Sequence, residues 1–274
     1  MPAHSAPGAS VAPHDYLARH PRFDPAGLTR LWLLGMPLGW LEAPTLRFLT
    51  RFDAAFRQVG EFGVQLQAET PAEAGAILER AARAMRENGL VRGWRNERYT
   101  VYAPLGDGAP DLDQPWFALE RAAFRRLGLV SRAVHINGYT AARTLWVGRR
   151  AADKSIDPGR LDNLAAGGLP QGETTFDCVV RELWEEAGVP AELAALARPG
   201  DSIRVTRNEP DGTHDEMLHC YDLALPADFT PRNVDGEVAG FMQLDAATAL
   251  ARLPEFTWDA GMVTARFLIA HHWR

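Results

Sequence analysis

The most constraining stretch of the chain is residues 167–189, GGLPQGETTFDCVVRELWEEAGV. Thr174, followed three residues later by Asp177, resembles a capping box, and Gly188 is a helix stop, so the spacing predicts a helix from Thr175 to Ala187. On that helix Glu182, Glu185 and Glu186 stand at i, i+3 and i+4 and share one side of the rod. Phe176, Val179, Val180, Leu183 and Ala187 take the other side and can anchor it in a core. Like charges at this spacing cost a few tenths of a kcal/mol per pair, so the helix gains nothing from them. Oxygen ligands grouped this way suit hard divalent cations such as Mg²⁺ or Mn²⁺, which leave positions for water and substrate phosphate. Arg181, four residues before Glu185, is placed to orient that carboxylate. The bland alternative is a solvated acidic face.

The flanking residues weigh against the bland alternative. Gly167, five residues, Glu173, seven residues, Arg181-Glu182-Leu183, one residue, Glu185-Glu186, one residue and Gly188-Val189 fill every fixed position of the Nudix box, and the segment resembles that motif. The resemblance implies an α/β fold, an α/β/α sandwich with a mixed sheet, and hydrolysis of a diphosphate linked to some group X with Mg²⁺ (or Mn²⁺). It makes Glu182, Glu185 and Glu186 metal ligands, with Glu186 shared between ions. Glu173 would reach metal through water or brace Arg181, and the carbonyl of Ala166 is a further ligand position. Glu185, Glu186 and Arg181 then belong to the catalytic group. Such enzymes take their general base from the box or from a later loop, and Glu237, in Asp235-Gly236-Glu237-Val238, is the preferred loop candidate.

A wider resemblance runs through Asn137-Gly138-Tyr139 and residues 145–170, LWVGRRAADKSIDPGRLDNLAAGGLP. This text is similar to the Nudix branch related to the Nudix part of fungal thiamine pyrophosphokinase. Its members hydrolyse thiamine diphosphate and its oxo and oxy forms to the monophosphate, and carry an uncharacterised leading domain similar here to residues 94–104 and 120–129. Lys154 lies inside the string and is the single lysine among 29 basic residues. A compact, rotatable charge suits a terminal phosphate, so Lys154, Arg149 and Arg160 are the expected substrate-binding residues. The other reading of Lys154 is an incidental surface position.

The predicted organisation is a flexible arm over residues 1–13, a smaller α+β domain over 14–130 and the catalytic domain over 131–274. In the first half, residues 71–90 have i, i+3, i+4 apolar spacing and predict a helix. Residues 98–103 predict a strand, and residues 116–127 again have helical spacing, with Gly128 as stop. In the second half, strands are expected over 133–139, 145–149, 203–206, 217–225 and 238–244, with a last helix over 261–272. The apolar run 31–40 carries Pro37 and two glycines and is about half a bilayer span, so it predicts a core segment. Cys178 is expected as a small filler, and Trp184 as a residue of the domain interface.

Net charge of −6 argues against binding to nucleic acid or an anionic membrane through a basic surface. Two cysteines are too few for a disulfide scaffold and point to a reducing cytoplasm, and the N-terminus lacks the pattern of a signal peptide. The expected partner is a small-molecule diphosphate; the leading domain either covers the pocket or mediates a homodimer. Three rivals stay open: hydrolysis of ADP-ribose or another nucleoside diphosphate derivative, an isomerase resembling isopentenyl diphosphate isomerases, and a non-enzymatic sensor. Residues 163–166, NLAA, lack the cysteine that such isomerases place before the helix.

Overall fold

A computed structural model describes residues 12–154 and 156–273. Most of the expected N-terminal arm, residues 1–11, lies outside the described residues. Pro13 opens α1 (Pro13–Ala18), whose Tyr16 is buried. Four strands follow around a helix: β1 (Thr29–Leu33), β2 (Met36–Leu41), α2 (Ala43–Phe52), β3 (Phe56–Val59) and β4 (Gly63–Leu66). They form a sheet of order β2-β1-β4-β3. The apolar run 31–40 is a hairpin inside it, turning at Leu34 (φ 51°) and Gly35 (φ 77°). Two positive φ values in succession are the backbone of the tight turns that match strand twist.

The amphipathic spacing predicted α3, observed at Pro71–Glu87 with Thr70 capping Glu73, and its Ala74, Leu78, Ala81, Ala82 and Met85 are fully buried. It packs on a two-stranded ribbon, β5 (Arg98–Pro104) and β6 (Pro110–Glu120). Here the structure corrects the expected helix over 116–127. Phe117, Ala118 and Leu119 pair with Val101, Thr100 and Tyr99 as strand. A 3-10 turn at Arg121–Ala123 and the single turn α4 (Phe124–Leu127) are all that is helical. Ladder hydrogen bonds and packing against α3 outweigh the local spacing; a Cβ on Gly75 of α3 would stand 2.8 Å from Phe117.

Gly128 ends α4 at φ 61°, and a Cβ there would lie 2.4 Å from both the backbone N and O of Trp40. Left-handed strain and a backbone clash act together, so Gly128→Ala should cost on the order of 3 kcal/mol. The urea midpoint measures this; a midpoint within error of the parent would refute the contact.

The second half holds β7 (Val130–Thr140), β8 (Thr144–Arg150), β9 (Leu161–Asp162), β10 (Ala165–Gly168), α5 (Thr175–Ala187), α6 (Ala191–Ala194), β11 (Arg198–Glu209), β12 (Gly212–Leu225), β13 (Val238–Asp245), α7 (Ala246–Arg252) and α8 (Trp258–Ala270). The seven-stranded sheet runs β11-β12-β7-β8-β13, with β10 added to β7 and β9 to β8. It is mixed: β7 and β12 are parallel, whereas β7 is antiparallel to β10 and β8. Alternation sorts the two faces. Val134, Ile136, Tyr221 and Leu223 pack with α5, while Ala133, Leu218 and Cys220 pack with Met262 and Val263 of α8. This is the three-layer α/β/α arrangement.

The two halves are in contact. Arg132 donates to the Tyr102 hydroxyl at 2.9 Å, and the Gln171 amide donates to the Arg98 carbonyl at 2.7 Å. α1 packs on α8 of the second half, where a Cβ on Gly261 would meet the Tyr16 hydroxyl at 2.1 Å. Among the described residues no helix is long and apolar enough to cross a membrane.

Candidate active site

The helix α5 has the limits its sequence predicted, and both halves of the capping box are made: the Asp177 amide donates to Thr174 Oγ1 at 3.1 Å and the Thr174 amide to Asp177 at 3.4 Å. Its apolar face departs from expectation in one place. Phe176 is 40% exposed, because it lies in the first turn outside the cluster formed by Val179, Leu183 and Ala187. Trp184 is 49% exposed and does not fill the domain interface. Neighbouring Glu182 and Glu186 are buried instead, at 8% and 7% exposure.

Those two carboxylates are held against β10. The Ala166 amide donates to Glu186 Oε2 at 2.9 Å. A Cβ on Gly167 would stand 1.8 Å from Glu182 Oε1, so only glycine leaves room for that carboxylate. Arg181 ties the group together. It donates to both oxygens of Glu173 at 2.8 and 2.9 Å, to Glu182 at 2.6 Å and to Glu185 at 3.0 Å. Glu173 therefore braces Arg181, and Glu185, the most open of the three, leans on the same guanidinium.

Burial first, and then neighbouring charges, set the electrostatics. Burial pushes the Glu182 carboxyl up to about 7, with Arg181 opposing and Glu185 and Glu237 adding. Burial likewise raises Glu186 well above the usual carboxylate range, helped by the charges of Glu182 and Asp162. Arg181, bonded to Glu182, is shared with Glu173 and Glu185, so one guanidinium serves several carboxylates, and this excess of carboxylate oxygen is the donor chemistry a hard divalent cation fits. Cys178 is buried, its Sγ 3.4 Å from the Gly168 carbonyl, and burial pushes its thiol up, so it is the inert filler expected.

A second grouping lies elsewhere on the same cavity. Ligand atoms of His214, Glu216 and Asp259 fall within 4.8 Å of one another. Arg207 takes both oxygens of Asp259, at 2.6 and 3.1 Å, so that carboxylate is already neutralised by a fork of donors.

The cavity, of about 730 Å³, lies between the halves, and its walls include Glu182, Glu185, Arg181, Ala166 and Gly167. Lys154 and Glu237 also line it and are bonded to each other. Burial alone would raise Glu237, but the Lys154 hydrogen bond and charge, and then Arg95, bring it below the usual range. Arg149 and Arg160, expected at the substrate, are not among the cavity residues. Arg149 donates to the Gly159 carbonyl at 2.7 Å, and Arg160 to the Phe256 and Pro254 carbonyls at 2.9 Å. They tie backbone segments together, and Arg150 lines the wall instead, paired with Asp162 at 2.8 Å. Successive residues of a strand point to opposite faces, and composition could not choose between Arg149 and Arg150.

The leading half also lines the cavity, with Arg95, Tyr99 and Arg121 among its residues. A Cβ on Gly168 would stand 1.6 Å from the Tyr99 hydroxyl, which rests against the box strand. No local pattern marked these residues as a site; the resemblance over 94–104, which holds Arg95 and Tyr99, and over 120–129, which holds Arg121, was the signal that touched them.

Comparison with known proteins finds two family matches along the chain. Residues 129–265 match the NUDIX domain, and residues 16–131 match a domain of unknown function, DUF4743. The chain is 32% identical over 244 residues to "Nudix hydrolase 24, chloroplastic" of Arabidopsis thaliana, covering 85% of this chain and 65% of that protein. It is 32% identical over 219 residues to "Nudix hydrolase 20, chloroplastic" of the same plant, covering 77% of this chain and 57% of that protein. The chain thus spans less than two thirds of the length of these curated relatives. Among solved structures, the crystal structure of DR0079 from Deinococcus radiodurans is similar at a TM-score of 0.48 and 25% identity, covering 62% of this chain and 98% of that one.

Proposed function

The chain belongs to the Nudix family, and from that premise we propose that it is a metal-dependent diphosphatase whose substrate is thiamine diphosphate or an oxo or oxy derivative, cleaved to the monophosphate and phosphate. The observation that carries the diphosphatase reading is the carboxylate cluster of the box helix: Glu182 and Glu185 line a cavity that Lys154 and Arg150 also line, and Glu186 is buried beside Glu182 on the same helix. Metal charge on one side of a diphosphate and fixed cations on the other is the arrangement its oxygens require. The thiamine reading rests on the likeness of residues 94–104, 120–129 and 145–170 to that branch.

In this reading Glu182, Glu185 and Glu186 hold Mg²⁺ or Mn²⁺, with the Ala166 carbonyl as a further ligand, and Glu173 keeps Arg181 in place behind them. Such ions, when bound, neutralise the diphosphate and lower the pKa of the attacking water. Arg181 fixes Glu182 and Glu185 in orientation. Lys154 receives phosphate oxygens, and Glu237 takes the proton of the attacking water. The two buried thiols, Cys178 and Cys220, fit a reducing compartment, and the cytoplasm is our reading of it.

Turnover with Mg²⁺ of thiamine diphosphate and oxythiamine diphosphate, followed as orthophosphate, and of ADP-ribose, followed as AMP and ribose 5-phosphate, tests the reading. We expect the first two to turn over at least ~10-fold faster, in kcat/KM, than ADP-ribose. The reverse order would replace the thiamine substrate by a nucleoside diphosphate derivative, and no turnover on any of the three would sink the enzyme.

A further inference from the structure

Glu237 makes an unusual pair of contacts. One carboxylate oxygen accepts from Lys154 of the second half, and the other from Arg95 of the leading half at 3.5 Å. Two cations from two domains thus converge on one carboxylate, leaving this small cluster with a positive charge in excess. The cluster lies beside the box: Arg95, Lys154 and Glu237 line the same cavity as Glu182, Glu185 and Arg121.

Each partner is held independently. The Arg95 amide donates at 3.1 Å to Glu120, which is 2% exposed, so the backbone that carries the guanidinium is anchored in the leading domain. The loop before Glu237 is referenced to the box helix, with the amides of Val234 and Asp235 donating to the Glu185 carbonyl at 3.0 and 3.1 Å. Gly236 makes the final turn at φ 92°. Both cations line the same cavity as Glu182, and the Arg95 side chain, 50% exposed, has room to change partner.

A phosphate group offers more anionic oxygens and more charge than a carboxylate, and arginine and lysine bind it through charge-assisted hydrogen bonds. We propose that Arg95 and Lys154 are a phosphate-binding pair built across the two domains, and that Glu237 occupies the phosphate's place until substrate displaces it. The leading domain then supplies part of the substrate site, and Glu237 is released beside the reacting phosphate only when the site is filled. This inference rests on the diphosphatase reading for the identity of the ligand.

The two roles predict opposite signs in one binding experiment. Imidodiphosphate, which is not hydrolysed, is titrated with Mg²⁺ into the full chain and its variants by calorimetry. Arg95→Ala should raise Kd about 10-fold, the loss of one charge-assisted contact, and Arg95→Lys should recover part of it. Glu237→Gln removes the internal competitor and should lower Kd about 3-fold or more. An unchanged Kd in Arg95→Ala with an unchanged melting temperature, or weaker binding by Glu237→Gln, overturns the proposal. If Arg95→Ala melts early, Arg95→Lys and Glu237→Gln decide the outcome by the same signs. Arg95-dependent binding by a chain that turns over no diphosphate would sink the hydrolase and keep the pair. Turnover with binding indifferent to Arg95 would do the reverse.

Discussion

Glu186→Gln should lower kcat at least ~10²-fold while leaving the fold intact. The glutamine keeps an oxygen for the Ala166 amide, which donates to Glu186 at 2.9 Å, so the local hydrogen bond survives. What it loses is the second anionic oxygen and the charge. Burial and the adjacent Glu182 and Asp162 oppose that charge in the absence of a cation. The substitution is therefore expected to damage catalysis without damaging stability, a combination that separates a ligand from a structural residue. Steady-state phosphate release together with thermal unfolding in EDTA checks both halves. Near-normal turnover in a folded protein would refute the role given to Glu186. A melting temperature well below the parent would show the carboxylate to be structural.

The second large effect is on stability against pH. Glu182 is raised from 4.5 to about 7 in the folded chain, mainly by burial. The folded state then binds its proton more tightly than the unfolded state, so ionisation costs folding stability. Below about pH 4.5 both states are protonated and the cost is absent. It grows as the pH rises from there to about 7, and above that the full cost of about 3 kcal/mol persists. Glu186 acts in the same direction. His219, lowered to about 4 by burial and Arg132, contributes with the opposite sign over part of this window. The difference between the parent and Glu182→Gln isolates the carboxylate. In EDTA, Glu182→Gln should become progressively more stable than the parent between pH 5 and pH 8. Mg²⁺ should stabilise the parent at pH 8 far more than at pH 5, because metal binds the deprotonated ligands and competes with protons. A pH-independent difference between the two proteins, or equal Mg²⁺ effects at both pH values, would mean that these carboxylates are not strained in the way their burial implies.

These effects depend on a cluster that the linear chain announced only in part. The helix over Thr175–Ala187 was legible because its information is local: Thr174 and Asp177 cap one end, Gly188 closes the other, and the apolar and acidic positions repeat at the helical period. The spacing from Gly167 to Val189 gave the box in the same way. The glycine at its head was legible as a motif position, but its reason is tertiary: Glu182 occupies the space a Cβ would need. Local spacing failed at residues 116–120, where the pattern of Trp116, Phe117 and Leu119 suits a helix as well as a strand. Pairing with β5 and packing on α3 chose the strand.

By itself, then, the sequence determined the box helix, its capping, its ligand-type side chains and the family to which the second half belongs, since all of these are written in residues near one another along the chain. Tertiary structure decided which side chains share the cavity with Glu182 and Glu185. Arg150 was chosen over Arg149, Arg160 was given to the backbone carbonyls near Phe256, and Arg95, Tyr99 and Arg121 came in from the leading domain. The physical reason is that a side chain's partner across a cavity is set by strand register and domain packing, which join positions such as Arg95 and Glu237, 142 residues apart, that no local pattern connects.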